Sequence, residues 1–141
     1  AFCLNPNHYH FILMPLVENG VQKFMHKLGT GYTCHFNEKY KRSGSLFQGR
    51  YKAIHIESNE YLLHLGVYVN LNNRVHKIGK STLLWKSSWN EYTGKSKTNF
   101  CKKDIILGQF RNVKDYIEFA ESSLEGIIER KEDMKSLLLE D

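Results

Sequence analysis

The sequence predicts a two-layer α+β domain. Three observations carry this. Stretches alternating with a period of two interleave with stretches of helical period, the strand-like stretches are too few for a doubly wound sheet, and 141 residues suit one domain with a real core. No internal repeat or low-complexity tract interrupts the pattern.

In chain order, "AFCL" and "YHFILMPL" read as strands split by the turn "NPN", whose Pro6 and flanking Asn5 and Asn7 are turn formers. From Gly20 to about Arg42 the period changes: Val21, Phe24, Met25, Leu28, Tyr32, His35 and Phe36 recur at helical spacing, although Gly29 and Gly31 each weaken the middle by up to about 1 kcal/mol relative to Ala. "KRSGSLFQG" is a basic connection. "RYKAIHIE" then sets Tyr51, Ala53, His55 and Glu57 against Lys52, Ile54 and Ile56, the pattern of a strand with one buried face. Ser58 or Asn59 is a ready N-cap for "EYLLHLGVYVNLNN", a helix with Leu62, Leu65, Gly66 and Val69 as its apolar stripe. "KIGKST" reads as a loop, "LLWKSSWNEYT" as a short helical or irregular piece, and "GKSKTNFCKK" as a second basic loop. "DIILGQF" follows, then an amphipathic helix from about Val113.

Bulk properties narrow the classes. No apolar run approaches the roughly 18 to 20 residues of a membrane span, so no membrane partner is expected. Cys3, Cys34 and Cys101 are an odd set with no C-x-x-C, which argues against a disulfide framework or structural zinc and for a reducing cytoplasm. Ala1 opens directly on strand-like sequence without a basic leader or cleavage signal, and the expectation is that a natural start is missing. Lys and Arg stand 7 against 3 Asp and Glu over residues 1–57, 8 against 2 over 58–103, and 5 against 10 over 104–141. A basic body with an acidic tail suits a polyanion, because clustered cations release counterions from phosphates; an ordinary solvated surface is the plainer alternative.

"NPNHYHFILMP" sets His8 and His10 one residue apart, so on a strand they share a face while Tyr9 points away. Tyr68 and Asn72, four apart on the later helix, share a face as well. Tyrosine is a weak nucleophile with an ordinary pKa of about 10, so it needs proton removal and an electrophile sharpened by a metal. Two imidazoles and an amide oxygen would leave a divalent ion open positions for phosphate oxygens. Taken singly, each residue has a plainer role: Tyr68 packs, His8 and His10 are surface or core histidines, and Asn72 beside Asn73 caps a helix end.

Read together, "FCLNPNHYHFILMP" resembles the "YCLMPNHxH" segment of HUH single-tyrosine transposases, in particular the REP-associated tyrosine transposase branch. The resemblance continues in order through "MHKLGTGYTCHFNEKYKRSGSLFQGRYKAIHIE", "EYLLHLGVYVNLNNRV" and the Ser-Ser-x-x-x-Tyr segment in "WKSSWNEYTG", and more weakly through "ILGQF" and "YIEFAE". It implies a small antiparallel sheet with helices on one face, of the RRM-like or ferredoxin-like HUH kind and lacking its first strand and helix. Residues 1–103 would be a partial catalytic core and 104–141 a helical C-terminal extension. It further implies Tyr68 as nucleophile and His8, His10 and Asn72 as ligands of Mg²⁺ or Mn²⁺. Asn5 stands where the family usually has Met and is expected outside the site; Asn73 stands where an Asn-Pro pair usually ends the tyrosine helix.

The activity implied is a transposase or endonuclease that cleaves and rejoins single-stranded or hairpin DNA through a 5′-phosphotyrosine link, in a cytoplasmic, nucleoid-associated setting, with a homodimer left open. Lys39, Tyr40, Arg42, Arg50, Tyr51 and Lys52 are candidates for gripping the backbone and stacking bases. The alternative is a non-catalytic, domesticated domain that binds hairpin nucleic acid. A two-ion carboxylate nuclease is a poor rival, since no Asp precedes Asp104 and such sites need clustered carboxylates. An RNA-binding sheet module fits less well, for want of its aromatic signature.

Overall fold

A computed structural model describes residues 1–78 and 85–138, with only the helical backbone described over 132–138. The architecture is α+β, with three antiparallel strands and six helices among the described residues, consistent with a two-layer sandwich. The chain divides into two compact units, one of Ala1–Ile12 with Ile56–Asp141 and one of Leu13–His55.

In the first unit, β1 (Phe2–Leu4) pairs with β2 (Tyr9–Phe11) in the register Phe2 with Phe11, Cys3 with His10 and Leu4 with Tyr9. Asn5 N–H donates to His8 carbonyl at 2.9 Å and closes the "NPN" turn that the sequence predicts. The second strand is shorter than the expected run to Leu16. Its ladder ends with Ile12 N–H on Ala1 carbonyl at 2.9 Å, and Pro15 has no N–H with which to extend it. Along the other side of β1 runs β3 (Lys86–Ser87), giving the order β2-β1-β3.

Helix α2 (Asn59–Asn70) starts where the capping chemistry places it: Ser58 Oγ accepts from Tyr61 N–H at 3.1 Å, a bond of the kind typically worth about 1 kcal/mol. The helical path then falters at Leu71 (φ −112°, ψ 20°) and resumes as α3 (Asn72–Val75), so the single helix expected through Asn73 is two pieces. Val67, Leu71 and Val75, at four-residue steps across that break, pack with Ala120 and Leu124 of α6 (Val113–Leu138). A second cluster joins Tyr92 of α4 (Trp89–Tyr92), Ile106 of α5 (Asp104–Leu107) and Tyr116 of α6. Residues 104–138 thus contribute Ile106, Tyr116, Ala120 and Leu124 to the buried core. Gly66 admits Ile106 closely: a Cβ there would lie 2.9 Å from Ile106 Cδ1.

A buried polar chain binds these layers. Ser88 Oγ accepts from Phe2 N–H of β1 at 2.9 Å and donates to Asn70 Oδ1 of α2, while Asn70 Nδ2 donates to Tyr116 Oη of α6 at 3.2 Å. All three side chains are fully enclosed. Burial pushes the Tyr116 phenol up to about 12, so it stays a neutral hydroxyl able to accept from Asn70.

The second unit is built on α1 (Gly20–Lys39), which tolerates Gly29 and Gly31 in its exposed middle. It ends with Lys41 in the left-handed region (φ 51°) and Arg42 N–H returning to Asn37 carbonyl at 3.0 Å, a wrapped helix end. "RYKAIHIE" corrects a sequence expectation: residues 50–57 form no strand. Alternation there lacks a ladder partner among the described residues, and Ile54 is 79% exposed, so neither half of what makes a strand, pairing and a covered face, is supplied. The expected loop at 77–82 falls largely on residues 79–84, outside the described ones.

Candidate metal and tyrosine site

β2 and the α2–α3 helical path carry the site. Because side chains alternate along a strand, Tyr9 and Phe11 stack on one side (5.2 Å between centroids) while His8 and His10 come together on the other, 5.2 Å apart and edge to face. Tyr68 of α2 faces the second of these, its ring 5.5 Å from that of His10. One turn on, Asn72 is fully buried, with Oδ1 at 3.3 Å from His8 Nε2. The four residues singled out in the sequence therefore come together, from two segments some 60 positions apart.

Hydrogen bonds favour one tautomer of His8. Asn7 Oδ1 lies 2.7 Å from His8 Nδ1 and can only accept, so in the neutral ring the proton belongs on Nδ1 and the lone pair on Nε2. Burial, then the neighbouring His8 and His76, pull the His10 pKa below its usual range, which keeps that imidazole neutral and fit to ligate at neutral pH. Cys3, opposite His10 in the ladder, is fully buried, and burial raises its thiol to about 11.

The donor set fits a divalent ion. Two ligands at right angles around an ion about 2.1 Å away are roughly 3.0 Å apart, close to the 3.3 Å between His8 Nε2 and Asn72 Oδ1. Asn72 Nδ2 is buried and without an acceptor among the described residues, a cost accepted so that Oδ1 points at His8. Among the described residues no three His, Cys, Asp or Glu side chains are gathered to hold a metal, so amide oxygen is needed to complete any set.

Three neighbours escape the sequence reading. Asn5, expected outside the site, is in its middle: Nδ2 lies 2.9 Å from His8 Nε2 and 2.6 Å from Asn72 Oδ1. The turn chemistry of "NPN" hides it, although a four-residue turn ending on His8 must return the first side chain toward the last. His76 meets His8 edge to face, 5.1 Å between ring centroids, and is signalled in the sequence by the ladder Tyr68, Asn72, His76 at steps of four. Lys131 of α6 donates to His76 Nδ1 at 3.0 Å and to Val75 carbonyl at 3.3 Å; burial, this ammonium and His8 lower the His76 pKa. On its other side Tyr68 borders an open groove of about 620 Å³ shared with Tyr61, His64 and Arg130.

All six candidates for DNA contact belong to the second unit and are exposed. Lys39 Nζ stands 5.3 Å from the Tyr40 ring, and Arg42 stands 5.7 Å from the Phe36 ring while its Nη2 donates to Ser45 carbonyl at 3.1 Å. Arg50, Tyr51 and Lys52 lie on the irregular stretch that follows.

The model of the family described as transposase, IS200-like, matches residues 1–73, more than half of the chain and a span that includes His8, His10, Tyr68 and Asn72. The chain belongs to the IS200-like transposase family. Membership carries a transposase role and, with it, interaction with DNA. No curated protein and no solved structure matches the chain significantly. Among the described residues no helix is long and apolar enough to cross a membrane.

Proposed function

We propose that this IS200-like transposase cleaves and rejoins single-stranded or hairpin DNA through Tyr68. The phenol oxygen gives up its proton and bonds to phosphorus, the bond from phosphorus to the 3′ oxygen breaks, and a 5′-phosphotyrosine and a free 3′-hydroxyl result. Because the link conserves the energy of the phosphodiester, a second 3′-hydroxyl can reverse the step and join a new strand without ATP. The supporting observation is the convergence of Tyr68 and Asn72 with His10 and His8 across the α2–β2 interface.

His8, His10 and Asn72 would hold Mg²⁺ or Mn²⁺, which when bound supplies Lewis acidity toward the scissile phosphate and a template for its oxygens. The residues of the chain supply the rest. Asn7 favours one tautomer of His8, α3 carries Asn72 with its oxygen 3.3 Å from that ring, and Tyr68 stands at the edge of an open groove. In the second unit, exposed Lys39, Tyr40, Arg42, Arg50, Tyr51 and Lys52 would bind backbone phosphates and stack bases, contacts suited to single strands. The setting proposed is the nucleoid of a reducing cytoplasm.

The test is incubation with hairpin DNA and a divalent ion, followed by boiling in detergent and electrophoresis. The wild type should give a slow, heat-stable band that Tyr68→Phe abolishes while leaving hairpin affinity nearly unchanged. A band persisting in the Phe variant moves the nucleophile elsewhere, to Tyr9 or Tyr61. Affinity without any covalent band in the wild type favours the non-catalytic hairpin-binding domain.

A further inference from the structure

We propose that Asn5 is a ligand of the same metal, delivering its side-chain oxygen by a half-turn of the amide. The inference rests on the metal reading above and extends it to a residue that reading does not use. In the present arrangement Asn5 Nδ2 donates to both His8 Nε2 and Asn72 Oδ1, at 2.9 and 2.6 Å. These two acceptors are only 3.3 Å apart, and lone pairs so close repel unless something positive lies between them. The amide N–H₂ does here what a cation would do, and its nitrogen marks a point within reach of both.

A cation seated among His8 Nε2, Asn72 Oδ1 and the Asn5 amide meets the positive end of that amide. Rotation by 180° about Cβ–Cγ exchanges Nδ2 and Oδ1 at almost no change in shape, so the backbone need not move. That backbone is fixed in any case by the bond from Asn5 N–H to His8 carbonyl at 2.9 Å. The group on the far side is suited to both orientations. The Cys3 thiol donates to Asn5 Oδ1 at 3.4 Å, and after the half-turn its sulfur can accept weakly from Nδ2. Cys3 is fully buried beside Asn5, so it partners the amide in either orientation.

The half-turn also answers a shortage. His, Cys, Asp and Glu alone gather no set of three among the described residues, whereas Asn5 and Asn72 together bring two neutral oxygens to the imidazoles of His8 and His10. A set with two amide oxygens and no carboxylate is neutral overall. It suits an ion that must keep charge available for phosphate oxygens, and it predicts weak binding before DNA is present.

The experiment measures Mn²⁺ binding to the full chain without DNA, by loss of the free-ion electron paramagnetic resonance signal, with circular dichroism confirming the fold of each variant. Asn5→Ala should weaken binding by at least about tenfold, since loss of even an outer partner of a metal ligand costs about that much. Asn5→Asp, of the same shape with a charged oxygen, should bind at least as tightly as the wild type. Addition of Mg²⁺ should shift the Asn5 side-chain N–H₂ resonances in the wild type and leave them in place in His8→Ala. Binding by Asn5→Ala as tight as or tighter than that of the wild type, or loss of binding in Asn5→Asp, overturns the proposal while leaving His8, His10 and Asn72 as ligands. Absence of Mn²⁺ binding in the wild type overturns it together with the metal part of the proposed function. The assignment of Tyr68 is tested separately, by the covalent band.

Discussion

Asn70→Ala should be among the most costly single changes in the first unit, although Asn70 touches no part of the proposed chemistry. Its amide lies between Ser88 Oγ and Tyr116 Oη, and all three side chains are fully buried. Truncation removes one net hydrogen bond to Ser88, about 1 kcal/mol, and leaves the Tyr116 hydroxyl buried without its donor, about 1 to 3 kcal/mol more. Ser88 retains Phe2 N–H and carbonyl as partners and adds little further cost. The expected loss is therefore about 2 to 4 kcal/mol, read as a lower urea midpoint at unchanged slope. Tyr116→Phe removes only the hydroxyl and should lose less, and the two changes combined should cost less than their sum because they break one shared bond. A loss below about 0.5 kcal/mol for Asn70→Ala, or strict additivity of the pair, would refute the account of a connected buried network.

Other outcomes follow from the same geometry. Gly66→Ala should be nearly neutral, because a helix gain of about 1 kcal/mol offsets a close approach that Ile106 Cδ1 can relieve by moving, whereas Gly66→Val should show a clear loss in thermal unfolding. Arg74 grips Glu121 with two bonds of 2.7 Å and lowers its carboxyl pKa; the small stabilisation this gives is present in full above the ordinary carboxylate range and lost as pH falls below it through the lowered value. Glu121→Gln should accordingly be less stable than the wild type at pH 7, with the difference shrinking as pH falls below the ordinary carboxylate range, by denaturant titration at each pH. Replacing Arg42 and Lys52 by Ala should weaken hairpin binding and reduce its salt slope by about one for each phosphate no longer neutralised, measured by fluorescence anisotropy across a salt series.

Much of this molecule is legible in its residues, and the misses share a cause. Local chemistry is readable: the "NPN" turn, the Ser58 cap, the helix over 20–39 and the pairing of His8 with His10 all follow from interactions within a few positions. Strand pairing is not. The alternation of residues 50–57 reports a capacity for strand, but strand formation depends on a neighbour that a linear pattern does not reveal. Nor does helical period show the break at Leu71, where packing of Val67, Leu71 and Val75 on α6 continues across irregular backbone. At the site, residue types with familiar chemistry stand out, whereas Asn5 reads as a turn former and Asn70 as one more helical position. Amides are easily missed because their role is set by what faces them.

The bond from Asn7 to His8 Nδ1 gives an exposed turn an influence on the site out of proportion to its burial. With that acceptor in place the imidazole favours one neutral form, its lone pair aimed inward. Without it only the Asn5 amide, donating to the inner nitrogen at 2.9 Å, opposes a move of the proton to that nitrogen, where it would point toward Asn72 with no heavy atom of the ring displaced. Variation at Asn7 would then act as a silent dial on the proposed metal site. A survey of substitutions ranked by burial would pass over it, and a crystal structure of such a variant would look like that of the parent.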